Sequence, residues 1–208
     1  MLLYCVRHGE STYNALGRIQ GQSDVPLSDT GRRQGEAVAA ALAGLPIEAL
    51  YASPLRRAIQ TAQPVADALG LPIQTDPRLK EIHAGVFQDR LRSELDQRFP
   101  EELARWHSGD PDYALPGGET RRRLMERGRA AFEAILQTGH ERVAVISHGG
   151  LIAAAFKSLL EIPAGRHPFN FYNGSISQLA VTDGRVRLLT LNQVDHLREA
   201  GQSSSGDL

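Results

Sequence analysis

Apolar residues follow two rhythms along this chain. Leu2-Leu3-Tyr4-Cys5-Val6 is an unbroken apolar run that stops at Arg7-His8-Gly9-Glu10-Ser11. A run without alternation predicts a strand covered on both faces, as in a parallel sheet. The same syntax recurs at Val143-Ala144-Val145-Ile146, followed by Ser147-His148-Gly149-Gly150. A shorter run, Ala49-Leu50-Tyr51-Ala52, leads into Ser53-Pro54. Between these runs the spacing changes to three and four, the mark of an amphipathic helix. One helix is predicted from a cap at Ser28 or Asp29, with Ala37, Val38, Ala41, Leu42 and Leu45 as its stripe and Gly44 and Pro46 as its end. A second starts with Ser53 as cap and Pro54 at the first helical position, carries Ile59, Ala62, Val65, Ala66 and Leu69, and stops at Gly70 and Pro72. A third spans about 119–137, with Leu124, Gly128, Ala131 and Ile135 on one face, and a fourth 149–160.

The remaining segments complete the plan. Residues 12–21 read as a polar loop or short helical turn, and 72–75 as an edge strand. From about Gly85 to Gly118 the chain is polar, with the sole tryptophan, Trp106, and two short helical patterns. That segment predicts a cap-like insertion, 83–118, lying over the sheet edge and not forming a layer of the core. Two alternating stretches near 175–182 and 185–191 are joined by Asp183-Gly184, a strong hairpin signal. The expected fold class is α/β: a three-layer α/β/α sandwich with a mostly parallel central sheet, an edge hairpin and a small helical insertion over the active site. Residues 1–200 form one domain in this reading, and 201–208 a disordered tail.

Composition narrows the classes. At 208 residues the chain is long enough for one domain with a sizeable core. A net charge of −1 draws it neither to nucleic acid nor to a membrane surface. The single cysteine, Cys5, excludes an intrachain disulfide and a cysteine-based zinc site, and its place in an apolar run makes it a buried hydrophobe. With no leader pattern and no run approaching about 18 apolar residues, a cytoplasmic protein is expected. A homodimer through the edge hairpin is the assembly that the exposed edge suggests.

Ligands in open α/β sheets sit beyond the carboxyl ends of the strands. His8, Arg57 and His148 all lie just past predicted strand ends, with Arg7, Asn14 and Glu81 near them. Two guanidiniums and two imidazoles, with helix N-termini after Ser53 and His148, suit a dianionic phosphate group. A neutral imidazole can attack phosphorus, and neighbouring positive charge keeps it neutral. Glu81 is the carboxylic acid placed to protonate a leaving alkoxide. His83, Arg56 and Arg121-Arg122-Arg123 read as solvated surface residues. A metallohydrolase using His8, Glu10, His83 and His148 lacks the usual ligand spacing.

The motifs in order resemble the histidine phosphatase superfamily, the phosphoglycerate mutase-like proteins. Arg-His-Gly-Glu-Ser-x-x-Asn at 7–14 is similar to that family's signature, as is the stretch from Ser53 to Ala62. Leu79-x-Glu81-Ile82-x-x-Gly85 resembles its acid motif, and Ser147-His148-Gly149 its second histidine. Pro116-Gly117-Gly118-Glu119, Leu191-Asn192 and His196-Leu197 are further points of likeness, and the resemblance covers about 1–198. It implies that His8 becomes phosphorylated and that Arg7, Arg57 and His148 bind the phosphoryl group. It further implies that Asn14, Gln20 and Gly149 line the phosphate and substrate pocket and that Glu81 is the acid. No metal and no cofactor are implied. Phe87-Gln88-Asp89 stands where many members have Trp-Glu-Gly or Trp-Ser-Gly, a departure that touches substrate contacts. The expected activity is hydrolysis of a small phosphorylated metabolite. The short insertion argues against a mutase, which must exclude water from its intermediate. A non-catalytic phospho-ligand binder is disfavoured by the complete catalytic set.

Overall fold

The structure, a computed structural model, describes residues 1–166 and 168–201. Six strands form one sheet: β1 (Leu2–Arg7), β2 (Ala49–Ala52), β3 (Ile73–Thr75), β4 (Arg142–Ser147), β5 (Ile176–Thr182) and β6 (Arg185–Gln193), in the order β3-β2-β4-β1-β5-β6. The four on the β3 side run parallel, β5 lies antiparallel to β1, and β6 pairs antiparallel with β5. Helices α1 (Thr12–Ala15), α2 (Asp29–Leu42), α3 (Arg56–Leu69), α4 (Leu95–Arg98), α5 (Pro100–His107), α6 (Arg121–Leu136) and α7 (Gly149–Leu159) surround it.

Strand pleating divides the apolar runs between two cores. Leu3, Cys5, Val143 and Val145 point into a core shared with α6 and α7. Tyr4, Val6, Ala144 and Ile146 point the other way, against the stripes of α2 and α3. Each central strand is therefore apolar throughout because both its faces are covered. Cys5 is fully buried, and burial pushes its thiol up beyond the usual range. The hairpin turn places Asp183 and Gly184 at φ 50° and 73°, the left-handed pair that a two-residue turn between twisted strands requires.

Three expectations need correction. Ser53 does not cap α3, because its N–H still donates to Ile146 O at 3.0 Å in the sheet register. The chain must leave the sheet before it can coil, so the helix begins at Arg56 with Leu55 as a cap lacking a side-chain bond. The 83–118 insertion is not merely draped over an edge. Phe87, Leu95, Trp106, Tyr113 and Leu115 are buried in the same core as β1, β4, α6 and α7. Its average polarity hides this, since each short element contributes only one or two large apolar side chains. Arg121 is not a solvated residue but half-buried, unlike Arg122 and Arg123. The tail expectation falls on residues 202–208, outside those described, except for Gly201, whose carbonyl accepts from Gln34 Nε2 at 2.7 Å. Among the described residues no helix is long and apolar enough to cross a membrane.

Candidate active site

Sheet register assembles the site. Arg7 pairs with Ser147 and Ala52 with Ile146, so the strands carrying His8, Ser53 and His148 end side by side. The His8 N–H continues the ladder by donating to Ser147 O at 2.9 Å. The two imidazole rings stand 5.1 Å apart between centroids, edge to face at 62°. Close backbone approach frames the turn after β1: a Cβ on Gly9 would meet Gly31 O at 2.4 Å, and one on Gly31 would meet Glu10 O at 1.9 Å. The first turn of α2 can press against the residues following His8 only because both positions are glycine.

The tautomer of His8 follows from its partners. Nδ1 lies 2.6 Å from Gly9 O, an acceptor only, so Nδ1 carries the proton. Nε2 then holds the lone pair, and Arg57 Nε donates to it at 3.2 Å. Arg57 is fully buried and its fork is fixed by two carbonyls, with Nη1 on Ser23 O at 2.9 Å and Nη2 on Gly21 O at 2.8 Å. Thr61 ties the backbone together, accepting from Gly9 N at 3.0 Å and donating to Arg57 O at 2.8 Å. Burial holds the His8 imidazolium well below its ordinary range, and the cations of Arg57 and Arg7 push it in the same direction. His148 is lowered for the same first reason, followed by Arg57, His8, Arg7 and Arg127. Its Nε2 lies 2.7 Å from Ser53 Oγ, and its Nδ1 meets no partner among the described residues.

Glu81 follows the helical turn Pro77–Leu79 and lines the same cavity as His8 and Arg57. Ile82 N donates to its Oε1 at 2.8 Å and Gly150 N to its Oε2 at 3.0 Å, docking the carboxyl group on the first turn of α7. A Cβ on Gly150 would stand 2.5 Å from Oε1, so the docking needs glycine there. Arg127 clamps the backbone leading to Glu81. Its Nη1 donates to the carbonyls of Arg78 and Lys80 at 2.7 and 2.6 Å, its Nη2 to Glu81 O at 3.2 Å, and Glu119 accepts from its Nε and Nη2 at 2.9 and 2.7 Å.

A cavity of about 390 Å³ opens beside these groups, lined by His8, Gln20, Arg57, Glu81 and Gly149 among others. Five of the eight expected residues thus reach it. Arg7 and His148 are fully buried behind it, with the Arg7 guanidinium donating to Phe171 O. Asn14 does not line it. It closes a capping box with Ser11, and its Oδ1 also accepts from Asn173 Nδ2 at 3.2 Å. Gln20 is held by Ser11 Oγ, which donates to its Oε1 at 2.7 Å. Sequence reasoning missed Ser53, Arg127, Gly150 and Asn173, whose Nδ2 donates to His8 O at 3.1 Å. The Ser-Pro and Gly-Gly pairs beside the expected motifs were the available signals for Ser53 and Gly150. Arg127 and Asn173 had none, because the groups they hold, the carbonyls before Glu81 and that of His8, are distant in sequence. Among the described residues no cluster of His, Cys, Asp or Glu is arranged to hold a metal ion.

Comparison with known proteins gives the family. A protein of Serratia proteamaculans named "Probable phosphoglycerate mutase GpmB" is 34% identical over 195 residues, covering 93% of this chain and 84% of its own. A mycobacterial glucosyl-3-phosphoglycerate phosphatase solved with VO3 superposes with a TM-score of 0.85 at 34% identity, covering 92% of this chain and 98% of that one. A putative α-ribazole-5′-P phosphatase of Escherichia coli gives 0.85 at 28% identity, with 93% and 96% coverage. The sequence pattern described as histidine phosphatase superfamily (branch 1) matches residues 3–194, and the chain belongs to that family.

Proposed function

We propose that the protein is a metal-independent phosphomonoesterase that hydrolyses a small phosphorylated metabolite through a phosphohistidine on His8. The observation that carries this reading is the state of His8: Nδ1 is committed to Gly9 O, so the lone pair is on Nε2, where it accepts from Arg57 Nε and becomes the nucleophile once that donor turns to a phosphoryl oxygen. In the first step Nε2 attacks phosphorus, an N–P bond forms, and the ester P–O bond breaks. The leaving oxygen takes a proton from the carboxyl group of Glu81. The backbone N–H groups of Ile82 and Gly150 fix the carboxyl group at the edge of the cavity for this transfer. In the second step water attacks phosphorus, Glu81 as carboxylate receives its proton, and the N–P electron pair returns to Nε2.

Stabilisation of the equatorial phosphoryl oxygens falls to Arg57, Arg7 and His148. His148 has Nδ1 for this, since Ser53 occupies Nε2. Arrival of a dianion raises the proton affinity of His148, reversing the effect of the surrounding cations. The structural relatives named as phosphatases, one of them solved with VO3, support hydrolysis as the outcome.

A second reading, return of the phosphoryl group to another hydroxyl, is favoured by the mutase names of the sequence relatives. The products decide between them. Purified enzyme assayed on phosphorylated metabolites releases one free phosphate per ester consumed if it is a phosphatase. Isomerised ester without free phosphate would make it a mutase. A His8→Gln variant that keeps full activity would end both readings.

A further inference from the structure

The cavity contains a second cluster of positive groups that the chemistry at His8 does not use. Arg121, the first residue of α6, lies with its guanidinium 3.7 Å from the centre of the Trp106 ring, and its Nη1 donates to Trp106 O at 2.9 Å. Lys157 of α7 is only 4% exposed, and its Nζ donates to Ala164 O at 2.6 Å. Trp106 is 3% exposed, and its Nε1–H finds no acceptor among the described residues. All three side chains line the cavity.

These groups are donors without a matching anion. Backbone carbonyls orient Arg121 and Lys157 but do not neutralise them. No carboxylate forms an ion pair with either among the described residues, and Asp110, which attracts Arg121 at longer range, is exposed. Burying cations without a counter-charge is costly, and so is a buried N–H without an acceptor. Burial lowers the proton affinity of both cations, and Arg121 acts on Lys157, whereas the charges acting on His8 come from Arg57 and Arg7.

We propose that Arg121, Lys157 and the indole N–H of Trp106 form a second anion subsite, so that the substrate is a phosphomonoester bearing a further anionic group, a carboxylate or a second phosphate. This rests on the phosphatase reading of the same cavity. An anion accepting from all three would satisfy the indole and balance the buried cations, while aryl or simple alkyl esters would leave them unmatched.

The test compares kcat/KM for pairs of esters differing only in the second anion: 3-phosphoglycerate against glycerol 3-phosphate, and fructose 1,6-bisphosphate against fructose 6-phosphate. A charge-assisted contact predicts that the wild type prefers the doubly anionic member of one pair by about ten- to hundredfold. The preferred pair tells carboxylate from phosphate. Arg121→Gln and Lys157→Met should each reduce that ratio about tenfold, and Arg121→Lys should restore part of it. Equilibrium binding of the same pairs to His8→Gln gives the ratio without turnover. Lack of hydrolysis of any ester would sink the phosphatase reading alone, leaving the subsite to be judged by binding. Equal affinity for both members of each pair, or a preference surviving in Arg121→Gln and Lys157→Met, would overturn the subsite.

Discussion

Replacing Gly150 by alanine should separate activity from stability. The added methyl would stand 2.5 Å from Glu81 Oε1, 3.1 Å from Cδ and 3.2 Å from Oε2. All three atoms are the far end of one side chain, so the carboxyl group yields and the backbone does not. Relief to an ordinary contact needs a displacement of about 1 Å, and it weakens the 3.0 Å bond from Gly150 N. Misplacement by about 1 Å costs on the order of 100-fold in rate, and loss of a general acid about 10² to 10⁴. The helix loses nothing, since alanine is the better helix former by up to about 1 kcal/mol. Gly150→Ala should therefore unfold within about 1 kcal/mol of the wild type while kcat/KM for alkyl phosphates falls about 100-fold. Aryl phosphates, whose leaving groups need little protonation, should lose far less. Urea unfolding and steady-state kinetics on both ester types give the two readouts. Full activity on alkyl esters in a folded Gly150→Ala protein would show that the position of the Glu81 carboxyl group does not matter.

Other outcomes follow from the same geometry. Ser53→Ala leaves His148 Nε2 without its buried partner and should cost about 1–3 kcal/mol in urea unfolding, with a drop in kcat. Arg127→Met breaks a largely buried pair with Glu119 and frees the Arg78 and Lys80 carbonyls, so about 3 kcal/mol of stability should be lost together with kcat. His8 and His148 are both lowered in the fold, so below the unfolded value of about 6.5 the unfolded chain binds protons that the folded one does not. Stability contributed by each is present above that pH and should fall by up to about 1.4 kcal/mol per pH unit below it. The difference in slope between wild type and a His8→Gln/His148→Gln double variant at pH 5–7.5 isolates this contribution, and identical slopes would refute it. Prolonged treatment with EDTA should leave the rate unchanged.

The chemistry-bearing strands were legible because their signal is local. An apolar run ending in His-Gly specifies both a buried strand and the point where it leaves the sheet, and register does the rest. Partners were less legible. Ser53 looked like a helix cap because Ser-Pro usually is one, yet its N–H belongs to the β2–β4 ladder and its Oγ to His148. Asn14 looked like a pocket residue, but a side chain three residues after a serine can also close a capping box. Arg121 looked solvated within Arg-Arg-Arg. Its burial depends on Trp106, whose position is set by the tertiary packing of the insertion. Helical periodicity assigns faces, but it does not say which cation the far side of a cavity will cover.

The covalent step is best tested by mixing enzyme with a ³²P-labelled phosphomonoester and quenching within milliseconds. The proposed mechanism predicts label bound to protein up to one phosphate per chain, labile to acid, stable to base, and located by peptide mapping on His8. Label that never enters the protein while product forms at full rate would mean that water attacks phosphorus directly and that His8 is not the nucleophile.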